Sequence, residues 1–282
     1  MIPKIIHFCW FGGNPLPELA VECIASWRRF LPEYEIWMWK EDAASPQLSP
    51  VGRECKPDKI MDFDVNSIPY TAEAYRQRKY AYVSDYARLA IINEYGGIYF
   101  DTDVEVIKPL DDIIEKGCFM GFEQDPDGVN TPGRFAPRYC FGVNPGLGFG
   151  MSKGHPFMAE MVEHYRGMEF EPVPTGEAIM WYKTIVAHTT EKLCARGLKN
   201  VPGIQVVDGI YIYPSEYFAP INAISRRLHI TPNTRTIHRY MASWSEKSNK
   251  SWKDYVMHYI PEWVFFWNNR RKRSLALLEV KE

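Results

Sequence analysis

The sequence contains no C-x-x-C pair; its six cysteines, Cys9, Cys23, Cys55, Cys118, Cys140 and Cys194, are widely scattered. That scatter gives no support to a zinc ribbon or a dithiol redox motif and fits a reduced, cytosolic setting. No window holds about 18 uninterrupted apolar residues, so a membrane-spanning helix is not expected and membrane contact would be peripheral. The start, Met1-Ile2-Pro3-Lys4-Ile5-Ile6-His7, lacks the basic stretch and apolar run of a secretory signal, so secretion is not expected either. An excess of one charge is also missing: 33 Lys+Arg stand against 35 Asp+Glu, a formal net charge of −2. Nucleic-acid binders usually carry a basic excess, so no nucleic-acid partner is expected, and any anion must be held by local groups. There is no internal repeat and no low-complexity tract.

What is present is a chain of 282 residues, 46% hydrophobic, enough for one principal domain with a sizeable core. Aromatics reach 15%, with nine Trp and seventeen Tyr, which serve core packing first and suit flat surfaces for sugars and bases second. The apolar run Ile5 to Trp10, closed by Gly12-Gly13-Asn14-Pro15, reads as a buried strand entering a turn. Pro17 to Phe30 carries Leu19, Cys23, Ile24 and Trp27 at helical spacing, and Tyr34 to Trp39 reads as a second strand. This β-α-β opening predicts an α/β fold with a parallel sheet. Residues 40–70 lack periodicity and are expected to be irregular. Thr71 to Tyr95 reads as a helix ended by Gly96-Gly97, and Ile98 to Val106 as a strand. Asp125 to Gly150, rich in Gly and Pro, reads as a long loop or irregular strands. Pro156 to Tyr165 is expected to be helical, and Gly209 to Phe218 to form a strand and turn.

The tail differs in character. Trp263-Val264-Phe265-Phe266-Trp267 precedes Arg270-Arg271-Lys272-Arg273, a composition that suits an interfacial helix on anionic lipid or, equally, a helix packing its rings on the domain. The expected division is a domain over 1–245 and a basic, aromatic helical tail over 246–282.

Chemistry is expected first at Asp101 and Asp103. On a strand, residues two apart share a face, and two hard carboxylates suit Mg²⁺ or Mn²⁺. The tripeptide alone is weak evidence, because Asp62-Phe63-Asp64 and Asp125-Pro126-Asp127 repeat the spacing. Context selects Asp101-Thr102-Asp103: a helix, a Gly-Gly break and an apolar run place it at a strand's carboxyl end, where ligands of open α/β sheets gather. Asp85 and Arg88, three apart on the preceding helix, are either an intrahelical ion pair or a sugar-binding carboxylate beside a phosphate-binding guanidinium. His7 and Trp10 end the first strand; an indole there can stack on a base or simply fill the core. His238, followed by Ser243 and Trp244, is a candidate metal ligand or an ordinary satisfied histidine.

Four blocks in order are similar to one family: Ile2-Pro3-Lys4-Ile5-Ile6-His7-Phe8-Cys9-Trp10-Phe11-Gly12-Gly13, Ser84-Asp85-Tyr86-Ala87-Arg88, Gly96-Gly97-Ile98-Tyr99-Phe100-Asp101-Thr102-Asp103, and His238 to Trp244. Together they resemble the DXD-containing glycosyltransferases related to yeast initiating α-1,6-mannosyltransferase and to bacterial capsule and lipopolysaccharide sugar transferases. More distantly they resemble the catalytic domains of clostridial glucosylating toxins. The resemblance covers about residues 1 to 245.

It implies a GT-A fold, a Rossmann-like mixed sheet flanked by helices, and a retaining, metal-dependent transferase. The implied activity moves a hexose from a nucleotide sugar, UDP-galactose or UDP-glucose first and GDP-mannose second. The implied acceptor is a sugar hydroxyl of a capsular, O-antigen or lipopolysaccharide intermediate, lipid-linked at the inner face of the cytoplasmic membrane. By motif, Trp10 stacks on the base, with His7 beside it. Asp85 and Arg88 hold the donor sugar and phosphate, Tyr99 lies by the nucleotide, and Asp101 contacts ribose and metal. Asp103 binds Mn²⁺ or Mg²⁺, His238 completes the metal shell, and Ser243 and Trp244 hold the diphosphate. The chain departs from the family at Thr175-Gly176-Glu177, where a Thr-Gly-Pro block is usual. Two other functions fit parts of the pattern: a haloacid-dehalogenase phosphohydrolase, disfavoured by Glu105 two residues past the second aspartate, and a non-catalytic nucleotide-sugar binder.

Overall fold

A computed structural model describes residues 1–42, 56–128, 141–171, 184–222 and 227–241; the tail and Ser243, Trp244 and Thr175 to Glu177 lie outside the described residues. Strand β1 (Ile5–Cys9) alternates as a two-sided buried strand must. Ile6 and Phe8 join one core cluster, Cys9 the other, with His7 packed against Trp37 and Trp39. Helix α1 (Glu18–Phe30) buries Ala20, Cys23, Ile24 and Trp27, and β2 (Glu35–Lys40) returns parallel to β1, Ile6 opposite Ile36. The β-α-β opening is as expected.

Three expectations are corrected. The stretch 40–70 holds a strand, β3 (Lys59–Asp62), parallel to β2. It is an edge strand with three of its four residues exposed, so it lacks the apolar alternation that marks a half-buried strand. The single helix expected from Thr71 is two, α2 (Pro69–Arg76) and α3 (Tyr80–Tyr95), separated at Arg78, which takes φ +58°. No Gly or Pro marks that break in the sequence. The strand expected from Ile98 to Val106 is also two, β4 (Gly97–Tyr99) in the main sheet and β5 (Val104–Val106) outside it. Gly96 and Gly97 do end α3 with positive φ, +67° and +103°. At Gly97 a Cβ would stand 2.6 Å from the Ile5 carbonyl oxygen, so only glycine lets β4 begin there.

The chain continues through α4 (Asp111–Ile114), β6 (Cys118–Gln124), β7 (Gly142–Val143), a 3-10 turn at Pro145–Leu147 and β8 (Phe149–Met151). Then follow α5 (Pro156–Arg166), α6 (Ile185–Ala195), β9 (Gln205–Val207), β10 (Ile210–Tyr213), α7 (Ser215–Phe218) and β11 (Thr236–His238). The main sheet is ordered β3-β2-β1-β4-β8-β6-β10-β9, with β7 beside β6, while β5 and β11 pair antiparallel in a second sheet. Strands β3, β2, β1 and β4 are mutually parallel. Because β8 runs antiparallel to both β4 and β6, strand β6 shares their direction. β1, β2, β4 and β6 therefore end along one edge. One core cluster joins the sheet to α2, α3, α5 and α6, and the other to α1, α4 and α7. The expected mixed sheet flanked by helices is observed. Among the described residues no helix is long and apolar enough to cross a membrane.

Trp27 ties the second layer to this edge: its fully buried indole N–H donates to the Val104 carbonyl at 2.7 Å. Trp27→Phe leaves that buried carbonyl without its donor, an expected loss of about 1–3 kcal/mol. Urea unfolding of the variant is expected to show a lower midpoint with an unchanged slope.

Candidate functional site

Asp101-Thr102-Asp103 is a turn between β4 and β5 and not part of a strand. The two carboxylates converge because the chain turns, closed by Val104 N–H donating to the Asp101 carbonyl at 3.0 Å; the pleat argument for their shared face does not apply. β11 brings the third group. His238 Nε2 lies 3.2 Å from Asp103 Oδ1, and the Met241 N–H donates to Asp103 Oδ2 at 2.8 Å. Between them Tyr240 holds a left-handed φ of +51°, the kind of local strain that collects at functional sites. Asp101, Asp103 and His238 present ligand atoms within 4.8 Å of one another.

Burial raises the Asp103 carboxyl, but the His238 charge, its hydrogen bond and the Met241 N–H outweigh burial and hold it at about 2. Burial alone would lower His238, and the charge and hydrogen bond of Asp103 raise it instead. His238 Nδ1 is buried and has no hydrogen-bond partner among the described residues. Two carboxylates and an imidazole form a donor set that suits a hard or borderline divalent cation. The residues present therefore fit Mn²⁺ or Mg²⁺.

Behind the carboxylates lies Arg88, 4% exposed. Its Nη2 is 3.0 Å from Asp85 Oδ1 and 3.3 Å from Asp101 Oδ1, and its Nε donates to the Ser84 carbonyl at 3.0 Å. The guanidinium thus bridges α3 and the aspartate turn, beyond the intrahelical pair its spacing suggested. Burial lifts the Asp85 carboxyl to about 7 against the pull of Arg88, with Asp101 adding to the rise. Asp101 is raised by burial too, despite Arg88.

The structure separates His7 and Tyr99 from the ligand-facing surface. His7 is fully buried, with Nε2 3.0 Å from the Gly96 carbonyl and the Trp39 indole N–H donating to Nδ1 at 3.1 Å. Burial holds it down at about 4. Both nitrogens are occupied inside the sheet, so His7 fixes the start of β4 and is corrected from a nucleotide contact to a framework residue. Tyr99 is 1% exposed. Its ring lies 5.0 Å from the Arg88 guanidinium, so it packs behind the charge that holds the aspartate turn. Trp10 is half-buried and its indole N–H donates to the Asn14 carbonyl at 2.6 Å. The other aspartate pairs serve turns: Asp64 accepts from Asn66 N–H, and Asp125 accepts from the Ser215 backbone and hydroxyl.

Sequence reasoning missed the wall formed by Glu123, Asn144 and Gly146. Asn144 Oδ1 caps the 3-10 turn through the Gly146 N–H at 2.7 Å, and its Nδ2 donates to Glu123 Oε2 at 3.1 Å. A Cβ on Gly146 would collide with Asp101 Oδ2 and stand 3.2 Å from Arg88 Nη1. Asn144-Pro145-Gly146 is a recognisable turn signal, but nothing in it names Asp101 as the neighbour.

Residues 17–120 match the profile of a family described as glycosyltransferase sugar-binding region containing DXD motif. Inositol phosphoceramide mannosyltransferase 3 of Schizosaccharomyces pombe is 28% identical over 163 residues, 58% of this chain and 37% of the relative. Initiation-specific α-1,6-mannosyltransferase of Candida albicans is 27% identical over 175 residues, 57% of this chain and 41% of the relative. The chain thus spans less than half the length of these relatives. Among solved structures, PaToxG glycosyltransferase aligns with TM-score 0.45 and 19% identity over 69% of each chain. The matched region 17–120 holds Asp85, Arg88, Asp101 and Asp103, so the likeness to the DXD-containing glycosyltransferase sugar-binding family includes four of the residues brought together at this corner.

Proposed function

We propose that the protein is a retaining, metal-dependent glycosyltransferase of the GT-A kind, moving a hexose from a nucleotide sugar to a glycan hydroxyl. The observation that carries this reading is the meeting of Asp101, Asp103 and His238 at the carboxyl edge of the sheet, with Arg88 behind them. Bound there, Mn²⁺ or Mg²⁺ supplies Lewis-acid neutralisation of the departing diphosphate. Arg88 keeps a buried positive charge beside the same position and holds Asp85 and Asp101 in place. Asp85 accepts hydrogen bonds from donor-sugar hydroxyls, and Trp10 offers its half-exposed ring to the base.

Transfer takes a front-side course. The acceptor oxygen bonds to the anomeric carbon on the face the diphosphate leaves, and the acceptor proton passes to the leaving phosphate oxygen. The two mannosyltransferase relatives favour a mannosyl donor over the UDP-galactose or UDP-glucose expected from the sequence. The acceptor is a capsular, O-antigen or lipopolysaccharide intermediate, and Ser243 and Trp244 contact the diphosphate. Residues 246–282 form a tail that meets anionic membrane at the cytoplasmic face, where a lipid-linked acceptor resides.

Three outcomes test the site. Mn²⁺ at about 100 times its Kd is expected to stabilise the protein against thermal unfolding by ~2.7 kcal/mol. Asp103→Asn and His238→Ala are expected to lose that shift, and an equal shift in both variants would remove the metal assignment. With UDP- and GDP-hexoses screened as donors, Asp103→Asn is expected to lower Mn²⁺-dependent transfer or donor hydrolysis by about 100-fold or more. Arg88→Lys, which keeps the charge but loses the Nε–H that donates to the Ser84 carbonyl and fixes the group between the carboxylates, is expected to lower kcat about 100-fold with a smaller change in KM. Full activity in either variant would exclude the assigned role.

A further inference from the structure

Resting on the donor-site reading above, we propose that Glu41 selects the nucleobase, its Oε2 accepting the ring N–H of an oxo-base, guanine or uracil. Glu41 follows Lys40 at the carboxyl end of β2. Its Oε1 already accepts from the Gly12 N–H at 2.9 Å and the Tyr75 hydroxyl at 3.1 Å. Its Oε2 is shielded from solvent and has no hydrogen-bond partner among the described residues. A carboxylate offers about four acceptor positions, and the two bonds on Oε1 leave Oε2 in a fixed orientation with its lone pairs available. An unpaired buried acceptor is costly, more so when charged, which marks this oxygen as one that receives a donor.

Placement argues for a base. Glu41 is bonded to the loop that carries Trp10, and that loop is held down at Gly12, where φ is +90° and a Cβ would collide with the Tyr80 ring. Strand β1 lies between β2 and β4, so at about 4.8 Å per strand Glu41 stands roughly 10 Å along the edge from the aspartate turn. A nucleotide with its diphosphate at Asp103 and its base by Trp10 turns the outer edge of the base toward β2. Tyr80, half-buried and 5.5 Å from the Tyr75 ring, flanks the same corner.

The chemistry then discriminates. A carboxylate only accepts, so it pairs with guanine N1–H or uracil N3–H, whereas adenine and cytosine place an unprotonated ring nitrogen there, lone pair against lone pair. A site built to pair one group rejects the analogue that lacks it.

The test is calorimetric titration of the full chain and of Glu41→Gln, with Mn²⁺, using UDP, GDP, CDP, ADP, 3-methyl-UDP and 1-methyl-GDP. The wild-type chain is expected to bind UDP or GDP at least about tenfold tighter than CDP, ADP and its own methylated form. In Glu41→Gln the amide oxygen keeps Gly12 and the amide N–H₂ faces the base, so the preferred nucleotide is expected to lose about tenfold and the methylated form almost nothing. Should the variant fail to fold, the methylated nucleotides still decide the question on the wild-type chain. Equal binding of methylated and unmethylated nucleotide, or of all four bases, overturns the Glu41 assignment and leaves the donor site standing. Absence of binding to every nucleoside diphosphate overturns both.

Discussion

A buried guanidinium must be neutralised where it lies, and the position of Arg88 shows how much of the molecule is arranged to do so. The charge sits on α3, 4% exposed, yet one of its two carboxylates comes from the turn after β4. Taking either carboxylate away leaves the guanidinium with a single ion-pair partner in a poorly hydrated place. Helix and turn are therefore fixed to each other with little freedom. Tyr99 lies under the same guanidinium, and the Pro145–Leu147 turn can close over it because Gly146 has no side chain. Aspartates placed this way are preorganised, which is what stabilising developing charge on a leaving group requires.

The legible part of the fold was the part whose burial has a period. β1, α1 and β2 each bury one or two faces, and the alternation of Ile6 and Phe8 with His7 and Cys9 is visible directly in the residues. β3 was invisible because an edge strand with exposed side chains shows no apolar alternation. The break at Arg78 was invisible because an arginine, and no glycine, takes the left-handed conformation there. Likewise the run from Ile98 to Val106 reads as one strand although two sheets share it, since each half is apolar in its own surroundings.

For the candidate site, order along the chain found the blocks but not their depth. Asp85, Arg88, Asp101, Asp103 and His238 come together, while His7 and Tyr99, from the same blocks, turn into the core. A residue beside a ligand-facing one on a strand points to the opposite side or lies behind it, and block similarity carries no sign for that choice. Asn144 and Gly146 were missed for the converse reason: their partners are Glu123 and Asp101, and no local pattern announces a neighbour across the sheet edge.

Pairing of β5 with β11 has a consequence for how the molecule is assembled. Met241 and Asp103 are 138 residues apart in the chain, and the hydrogen bond between them closes one of the longest loops in the described structure. During vectorial synthesis the sheet and the Arg88 ion pairs can form while β11 is still inside the ribosome. The cluster of Asp101, Asp103 and His238 comes into being only once β11 docks, at a loop-closure cost that grows slowly with length. Until then Asp103 has no imidazole beside it, and Arg88 already fixes the aspartate turn before its third partner arrives.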